Sequence, residues 1–429
     1  MAARLCSRTT RSDSQSSNAN QQSRRATHAG GDSPVAYEAA LTAGEKAVKR
    51  STRGCGCAIA VLVVLLAAGG GAFWKWGLPW LRTRPPKPTG ELQVHVLDVG
   101  PIEGDSILII SPTGKSVLID AGDAGKGKPI LDALKRYKIE RLDYFIATHP
   151  HPDHIGGADE VMNAIKVGTV IDNGVDLSTP APSPASVKKG AKPAPTPIPA
   201  KKSKVKSVNS FFDEYKDALQ KSGAQHEMAV AGKKYDLGGG AIVTVLAPNE
   251  PFFTRDQMKG GGNDTNANSI VLRLDYGDFS MLFMGDAEEQ TEARLLGKDL
   301  NLAAKVIKIA HHGSKYATSE NFLKRVQPEA AIISDGEWNR YGHPAQSVLD
   351  RLKAMNAKCF RTDLQGEISL TTRGKIDAGK LYDIKTAKDA KEDVWTGREG
   401  QKDDASRSGF IAYGDFGPPP KAKSEKSKK

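Results

Sequence analysis

The chain has few cysteines. Only four, Cys6, Cys55, Cys57 and Cys359, occur in 429 residues. Two lie at the edge of an apolar run and one in a polar N-terminal segment, which matches neither a disulfide framework nor the spacing of a cysteine-rich zinc site. The sequence therefore excludes a small disulfide-stabilised fold, and the cysteines do not indicate a redox compartment.

The central part of the chain also lacks a basic excess, although the whole chain carries a net charge of +11. Residues 1–54, 178–206 and 380–429 together carry +15, which leaves about −4 for all other residues. Basic segments of this kind can bind nucleic acid or anionic lipid, but a solvated charged segment is the simpler interpretation. The net charge therefore does not by itself predict a nucleic-acid-binding groove.

Charged residues are absent from Cys55–Trp74, a run of 20 residues. About 20 apolar residues suffice for a helix to span the hydrocarbon layer, and Trp76 and Trp80 follow as interfacial aromatics do. A cleaved signal peptide is one alternative, but the segment that precedes the run is longer than usual. A buried core helix is another, but the triplet Gly69–Gly71 would weaken it. We expect one transmembrane helix at residues 55–74.

The orientation of this helix follows from the positive charges around it. Basic residues directly before and after the run are balanced, whereas Arg24 and Arg25 add positive charge on the N-terminal side. Because cytoplasmic segments carry the excess of Lys and Arg, we expect the catalytic domain to lie on the non-cytoplasmic side of the membrane.

Composition divides the rest of the chain into one folded domain and flexible segments. We expect disorder in residues 1–54 and in the Lys/Asp/Pro-rich tail 381–429, because neither can bury enough apolar surface to offset ordering entropy. Residues 75–90 are a Pro-rich linker. The folded domain is predicted at 91–380, with a disordered Pro/Ala/Lys insert at 178–206.

The hydrophobic pattern within this domain predicts alternating strands and helices. Strands are expected at 93–99, 106–111, 115–120, 142–148, 241–247, 269–275, 279–284, 304–310 and 329–334, and helices at 129–137, 207–221, 288–296 and 345–355. Two strand-rich blocks interspersed with helices indicate an α/β sandwich.

Three of the nine histidines fall within six residues of the segment Thr148–Gly157 (THPHPDHIGG). Imidazoles and carboxylates suit zinc, manganese or iron. The segment follows a predicted strand, so it lies at a strand's C-terminal end, where ligands gather in α/β proteins. A polar loop that holds histidines by chance is the alternative, but the HxHxDH pattern is long and specific. We therefore predict a metal site here.

A metal that catalyses hydrolysis needs more ligands than this loop provides, together with an open position for water. Two other predicted strands end in ligand-type residues: Asp286 follows one, and His311 and His312 follow another. A lone strand-end Asp is usually a helix cap, but two adjacent histidines after a buried strand favour metal binding.

Taken in order, these motifs resemble the metallo-β-lactamase superfamily and, more narrowly, the metallo-hydrolase domain of ComEC-type DNA-internalisation competence proteins. The resemblance covers about residues 91–370. It rests on His95–Gly100, Gly104–Ser106, Leu118–Gly122, Thr148–Gly157, Asn266–Leu274, Met284–Asp286, His311–Ser314, Arg340–Pro344 and Arg361–Gly366. It implies the α/β fold of that superfamily, the metallo-β-lactamase αβ/βα four-layer sandwich.

The resemblance also implies the metal ligands. His149 and His151 would bind one divalent metal, Asp153 and His154 a second, and Asp286 would bridge the two. The cofactor would be one or two zinc ions, with manganese as the alternative. A metal-bound hydroxide, with Asp153 helping to orient the water, would attack a phosphorus or carbonyl centre.

The same resemblance gives roles to four other residues. One of His311 and His312 would complete the second metal site. Asp120 would hydrogen-bond a ligand histidine and fix its tautomer. His343 would orient the scissile group or protonate the leaving group, although a turn histidine before Pro344 is an equally good interpretation.

Two features depart from the superfamily pattern. A further histidine usually lies between the HxHxDH loop and the bridging Asp, but the interval here contains only His226, which we expect not to be a ligand. The segment Asn263–Asn268 is Asn-rich instead. In addition, the family's tight Gly-Gln-Gly-Asp turn is replaced by the longer and more acidic Gly100–Asp105.

The resemblance implies a hydrolase with a phosphodiester such as DNA as substrate, and the predicted helix at residues 55–74 would anchor it in the membrane. Hydrolysis of a non-nucleic-acid ester, lactone or thioester is an alternative, and a tethered binding or scaffold protein with a degenerate metal site is another. ComEC-type proteins also carry a many-helix channel region. One predicted span does not support a DNA channel in this chain.

Overall fold

The computed structural model describes residues 88–177, 208–258, 263–337 and 341–398. Strands in these residues form two sheets. The first comprises β1 (Leu92–Val96), β2 (Ile107–Ile110), β3 (Ser116–Ile119), β4 (Arg141–Ala147), β5 (Lys166–Asp172), β6 (Gln225–Met228), β14 (Ile368–Asp377) and β15 (Lys380–Thr386). The second comprises β7 (Lys234–Gly238), β8 (Ala241–Ala247), β9 (Val271–Tyr276), β10 (Phe279–Phe283), β11 (Val306–Lys308), β12 (Ala330–Ile333) and β13 (Lys358–Arg361). Their orders are β15-β14-β1-β2-β3-β4-β5-β6 and β13-β12-β11-β10-β9-β8-β7.

Helices connect these strands. They are α1 (Gly127–Arg136), α2 (Pro152–Ile155), α3 (Ala158–Ala164), α4 (Val208–Ser222), α5 (Asp264–Ala267), α6 (Glu289–Leu296), α7 (Glu320–Val326), α8 (Gln346–Ala354) and α9 (Thr362–Gln365). Short 3₁₀ turns lie at Arg255–Gln257 and Ala310–Gly313.

The two sheets pack face to face, and helices cover their outer faces. Strand β2 shows why: Ile107 and Ile109 belong to the apolar layer between the sheets, whereas Leu108 and Ile110 pack with the apolar side chains of α1, α3 and α4. Because successive side chains point to opposite faces, a strand buried on both faces is a continuous apolar run. A third apolar cluster joins the second sheet to α6, α7 and α8. The predicted four-layer sandwich is confirmed.

Parallel strands bring the polar strand ends to one edge of the sandwich. Strands β3, β4 and β5 are parallel neighbours in the first sheet, and β10 to β13 are parallel in the second. The two edges are joined where the backbone N–H of Ile270 donates to the carbonyl oxygen of Thr148 at 2.9 Å. Residues that follow β3, β4, β10, β11 and β12 therefore meet in one place.

Each predicted strand and helix of the domain is present, with ends that differ by a few residues. Strands β5, β6, β7, β13, β14 and β15 and the shorter helices α2, α3, α5, α7 and α9 were not given by the predicted ranges. Several of these strands expose one face: β6 has the sequence QHEM and is largely exposed. A half-exposed strand carries too little apolar sequence to be recognised by composition alone.

The predicted start of a disordered tail at residue 381 is corrected by the structure. Lys380–Thr386 pairs antiparallel with β14, Val394 and Trp395 pack against the helix-side core of the second sheet, and Nε of Arg398 donates to Asp363 at 2.8 Å. The fold therefore continues to residue 398. Leu381, Tyr382 and Ile384 pack against the core between the sheets, which is sufficient for an edge strand although the segment as a whole is polar.

No helix among the described residues is long and apolar enough to cross a membrane. The predicted span 55–74, together with residues 1–54, most of the linker 75–90 and the insert 178–206, lies outside the described residues.

Truncation tests the corrected boundary. A chain that ends after residue 380 should unfold at a temperature about 5–8 °C lower than a chain that ends after residue 398. The removed segment buries several apolar side chains, worth roughly 3–5 kcal/mol together. Thermal unfolding followed by circular dichroism measures this difference. Equal unfolding temperatures for the two chains would contradict the structural role of residues 381–398.

Candidate metal centre

The HxHxDH loop is held in place by tight backbone packing. It follows β4 and enters helix α2, whose first residue is a proline, a residue that suits the first helical position. A Cβ atom on Gly156 would lie 2.3 Å from the backbone nitrogen of Ala124, and one on Gly157 would lie 2.6 Å from the carbonyl oxygen of Ala121. Only glycine lets the loop lie this close to the chain that follows β3.

His149, His151 and Asp286 form the first cluster. Nε2 of His149 lies 3.1 Å from Nδ1 of His151 and 3.7 Å from Oδ2 of Asp286. One ligand atom of each residue lies within 4.8 Å of the others. Burial lowers the pKa of His149 well below its usual value, so its imidazole is neutral and can donate a lone pair to a cation.

Asp153, His154, Asp286 and His312 form the second cluster. Nε2 of His154 lies 3.2 Å from Oδ1 of Asp286 and 3.6 Å from Oδ2 of Asp153. Nε2 of His312 lies 3.3 Å from the same Asp153 oxygen and 3.8 Å from Oδ1 of Asp286. The two oxygens of Asp286 therefore face different clusters, as a bridging carboxylate would.

These residues fit a divalent cation. Nε2 of His154 and Oδ1 of Asp286 are buried, yet neither has a hydrogen-bond partner within the described part of the chain. Buried polar atoms are normally paired, and ligand atoms about 2.0–2.2 Å from one cation lie roughly 3–4 Å from each other. The mixed set of imidazoles and carboxylates suits zinc or manganese.

The backbone separates the roles of His311 and His312. Both have left-handed φ angles, 49° and 51°, a strain typical of functional sites. Nδ1 of His312 donates to the carbonyl oxygen of Ser334 at 2.8 Å, which leaves Nε2 for the second cluster. His311 is partly exposed, and its Nε2 lies 3.7 Å from Oδ2 of Asp286, on the side of the first cluster. The geometry favours His312 as the ligand that completes the second cluster.

Asp120 lies directly behind His154, as the resemblance implies. Its Oδ2 is 2.7 Å from Nδ1 of His154, and its carboxylate also accepts hydrogen bonds from the backbone N–H and the hydroxyl of Thr148, both at 2.7 Å. A carboxylate at Nδ1 keeps the proton there and leaves Nε2 free. Burial lowers the pKa of His154, but Asp286, Asp120 and Asp153 together raise it well above the usual value, so a cation that binds Nε2 would displace a proton.

Both clusters border one cavity of about 580 Å³. His343 lines this cavity outside either cluster, with Nδ1 3.3 Å from Oε2 of Glu103 and its ring centroid 5.2 Å from that of His311. Tyr341 is exposed and stacks on His343 at 5.8 Å between centroids. Lys315 lies on the cavity wall. A carboxylate-oriented histidine thus faces the space in which a substrate would lie.

This chain is similar in sequence to several known proteins. The family described as the metallo-β-lactamase superfamily matches residues 99–221. ComE operon protein 3 of Bacillus subtilis is 28% identical over 319 residues, which are 69% of this chain and 35% of that protein. Recombination protein 2 of Haemophilus influenzae is 30% identical over 290 residues, 66% of this chain and 29% of that protein. Competence protein ComA of Neisseria gonorrhoeae is 27% identical over 332 residues, 76% and 39% of the two chains.

The domain has the metallo-β-lactamase fold and resembles the ComEC-type proteins. It is thus similar to the hydrolases of that superfamily, and its His/Asp clusters could hold a metal ion. This chain spans about a third of the length of the curated relatives that it matches.

His226 lies outside both ligand clusters. It lies in β6, exposed, with Nε2 2.8 Å from the carboxylate of Asp172.

Sequence reasoning missed Lys308, whose ammonium pairs with the carboxylate of Asp105 in a fully buried site. Oδ1 of Asp105 in turn lies 3.5 Å from Nδ1 of His312. A lysine inside an apolar strand is the sequence signal that could have revealed this pair, since buried lysines are nearly always paired.

The substitution Asp120→Asn tests the support of His154. It removes the carboxylate that holds the Nδ1 proton, so zinc affinity should fall by about 10–100-fold while the fold is retained. Competition with a chromophoric chelator measures the affinity. Asp143→Asn is the matched control, because Asp143 accepts hydrogen bonds from Ser116 and Arg141 in the same sheet, away from the clusters. Equal losses in the two variants would contradict a specific role for Asp120.

Proposed function

We propose that the chain is a membrane-anchored, metal-dependent phosphodiesterase that cleaves nucleic acid, with DNA as the principal substrate. The observation that carries this proposal is the buried carboxylate of Asp286, whose two oxygens serve two ligand clusters beside one open cavity. Two adjacent ligand clusters of this kind would suit hydrolysis at phosphorus, because cations held by these residues would stabilise the negative charge that develops in the reaction.

A divalent cation bound here would act as a Lewis acid and lower the pKa of a bound water toward neutrality. Asp153 lines the cavity with its side chain about a quarter exposed, so its carboxylate can accept a hydrogen bond from the attacking water. His343 also lines this cavity and can give a proton to the leaving oxygen. Glu103 contacts Nδ1 of the His343 ring at 3.3 Å and so helps to orient it.

The names of the relatives support a nucleic-acid substrate. Recombination protein 2 and competence protein ComA are named for recombination and competence, and each matches about two thirds or more of this chain. The exposed ring of Tyr341 at the cavity adds an aromatic surface on which an unpaired base can stack. Single-stranded DNA is therefore the substrate that we propose first.

A second candidate is hydrolysis of a small ester, lactone or thioester, and the charge of the cavity favours it. The described lining contains the carboxylates of Glu103, Asp153, Asp286 and Glu288, whereas Lys315 is its one Lys or Arg side chain. Phosphate contacts in nucleic-acid sites come mainly from Lys and Arg. A neutral substrate would meet less repulsion in this cavity before cations are bound.

Hydrolysis assays separate the two candidates. The full chain in detergent, supplied with zinc or manganese, should hydrolyse bis(p-nitrophenyl) phosphate and labelled single-stranded DNA faster than p-nitrophenyl acetate. His151→Ala should abolish this turnover, because it removes a donor of the first cluster. His226→Ala is the matched control and should leave turnover unchanged. Cleavage of the acetate alone would establish the second candidate.

His343→Ala adds a test of proton donation. This variant keeps all proposed metal ligands, so its metal content should equal that of the wild type while kcat falls by about 10²–10⁴-fold. If the wild type binds metal but cleaves neither phosphodiester, the nuclease proposal is refuted. If the wild type binds no metal, a tethered binding or scaffold protein becomes the better interpretation.

The membrane anchor is a separate proposal, supported by the uncharged run Cys55–Trp74. The full chain should remain with membranes after alkaline carbonate extraction, and a chain that lacks residues 55–74 should be released. Protease added outside spheroplasts should digest the catalytic domain if it lies on the non-cytoplasmic side. Protection of the domain until the membrane is lysed would reverse the proposed orientation.

A further inference from the structure

Asn266 is a buried polar side chain at the cavity that the proposed ligand set does not use. It is 3% exposed and lines the cavity beside His151, Asp286 and His311. Its Oδ1 atom is buried and has no hydrogen-bond partner within the described residues. An amide oxygen is rarely left in this state, because buried polar atoms are normally satisfied. The unpaired oxygen therefore points to a ligand.

The amide of Asn266 lies on the side of the first cluster. Its Nδ2 lies 3.3 Å from Nε2 of His311 and 3.5 Å from Oε1 of Glu288. His311 Nε2 in turn faces Oδ2 of Asp286, the oxygen that belongs to the first cluster. These contacts put the Asn266 amide next to the first cluster and away from the second.

The backbone fixes Asn266 relative to the bridging carboxylate. Asn266 lies in helix α5, and Oδ1 of Asn263 caps this helix by accepting from the N–H of Thr265 at 2.8 Å. The backbone N–H of Asp286 donates to the hydroxyl of Ser269, just after the helix, at 3.2 Å. The turn and the strand end that carries Asp286 are thus one hydrogen-bonded unit, which holds the amide in place before any ligand binds.

The first cluster provides fewer protein donors than the second. It offers His149, His151 and one oxygen of Asp286, whereas four residues surround the second position. We propose that the side-chain oxygen of Asn266 is the fourth protein donor of the first metal position. This inference rests on the metal centre of the proposed function, and it assigns a ligand that neither the motifs nor the clusters identify.

An amide oxygen would change which metals the first position holds well. Carbonyl and carboxylate oxygens suit manganese, whereas imidazole suits zinc. Zinc is satisfied by three protein ligands and a water, but manganese takes more oxygen ligands. Loss of the Asn266 oxygen should therefore weaken manganese binding at the first position more than zinc binding.

The test measures metal content and spectra rather than turnover. The full chain and its variants are equilibrated with manganese or zinc, metal per chain is determined by mass spectrometry, and electron paramagnetic resonance distinguishes a coupled manganese pair from an isolated ion. Asn266→Ala should weaken manganese at one position by about tenfold or more, replacing the coupled signal with that of an isolated ion, and should weaken zinc less. Asn266→Asp keeps an oxygen at this place and should retain the pair.

Two comparisons test whether the side-chain oxygen of Asn266 is the group that binds the metal. Asn249→Ala removes another buried asparagine, one that donates to the carbonyl oxygen of Leu246 away from the cavity, and should leave the metal content unchanged. If Asn266→Asp loses the metal as Asn266→Ala does, the NH₂ group matters rather than the oxygen, and the inference is wrong. Unchanged manganese binding in Asn266→Ala also overturns it, without affecting the proposed function. A wild type that binds no metal overturns both.

Discussion

The rest of the site depends on the burial of one carboxylate, that of Asp286. A carboxylate 1% exposed is costly unless opposite charge or a cation compensates it. Burial alone would raise its pKa, but the surrounding His154, His311 and His312 hold the pKa well below the ordinary value. The group is therefore charged in the folded protein. One histidine cannot pair with both oxygens of this carboxylate. Histidines at strand ends of both sheets therefore surround Asp286, and each of its oxygens faces one of the two clusters.

The residues behind the clusters keep this arrangement rigid. Asp120 orients His154, the carbonyl oxygen of Ser334 orients His312, and Asp105 lies between His312 and the buried ammonium of Lys308. Each contact restrains a ring nitrogen that does not face the clusters, so the nitrogens that do face them are held in position before a cation arrives. Such preorganisation is what separates a binding site from a group of nearby histidines.

The motif residues were predictable because ligand chemistry and strand-end position are both visible in the sequence. HxHxDH follows β4 and Asp286 follows β10, and the parallel arrangement of strands then forces them together. The choice between His311 and His312 was not predictable, because it depends on two left-handed backbone angles that no residue pattern specifies. The end of the fold was missed for a related reason. An edge strand such as Lys380–Thr386 is stabilised by pairing with β14 rather than by its own composition.

The charge of the cavity links the metal centre to the choice of substrate. In the absence of cations, the described lining carries four carboxyl groups against Lys315, although burial raises the pKa of Glu288 to about 7. This excess of acidic groups disfavours a phosphodiester, and bound divalent cations would offset it. Metal binding would therefore do more than activate water, because it would convert an anion-repelling cavity into one that an anion can enter.

Further affinity for a polyanion would have to come from outside this lining, and the seven lysines of residues 178–206 are one source in the sequence. We propose that affinity for a nucleic acid would be divided between the metal centre, which would bind one phosphate, and these lysines, which would bind its neighbours. That division predicts a strong salt dependence for long DNA and a weak one for a small phosphodiester.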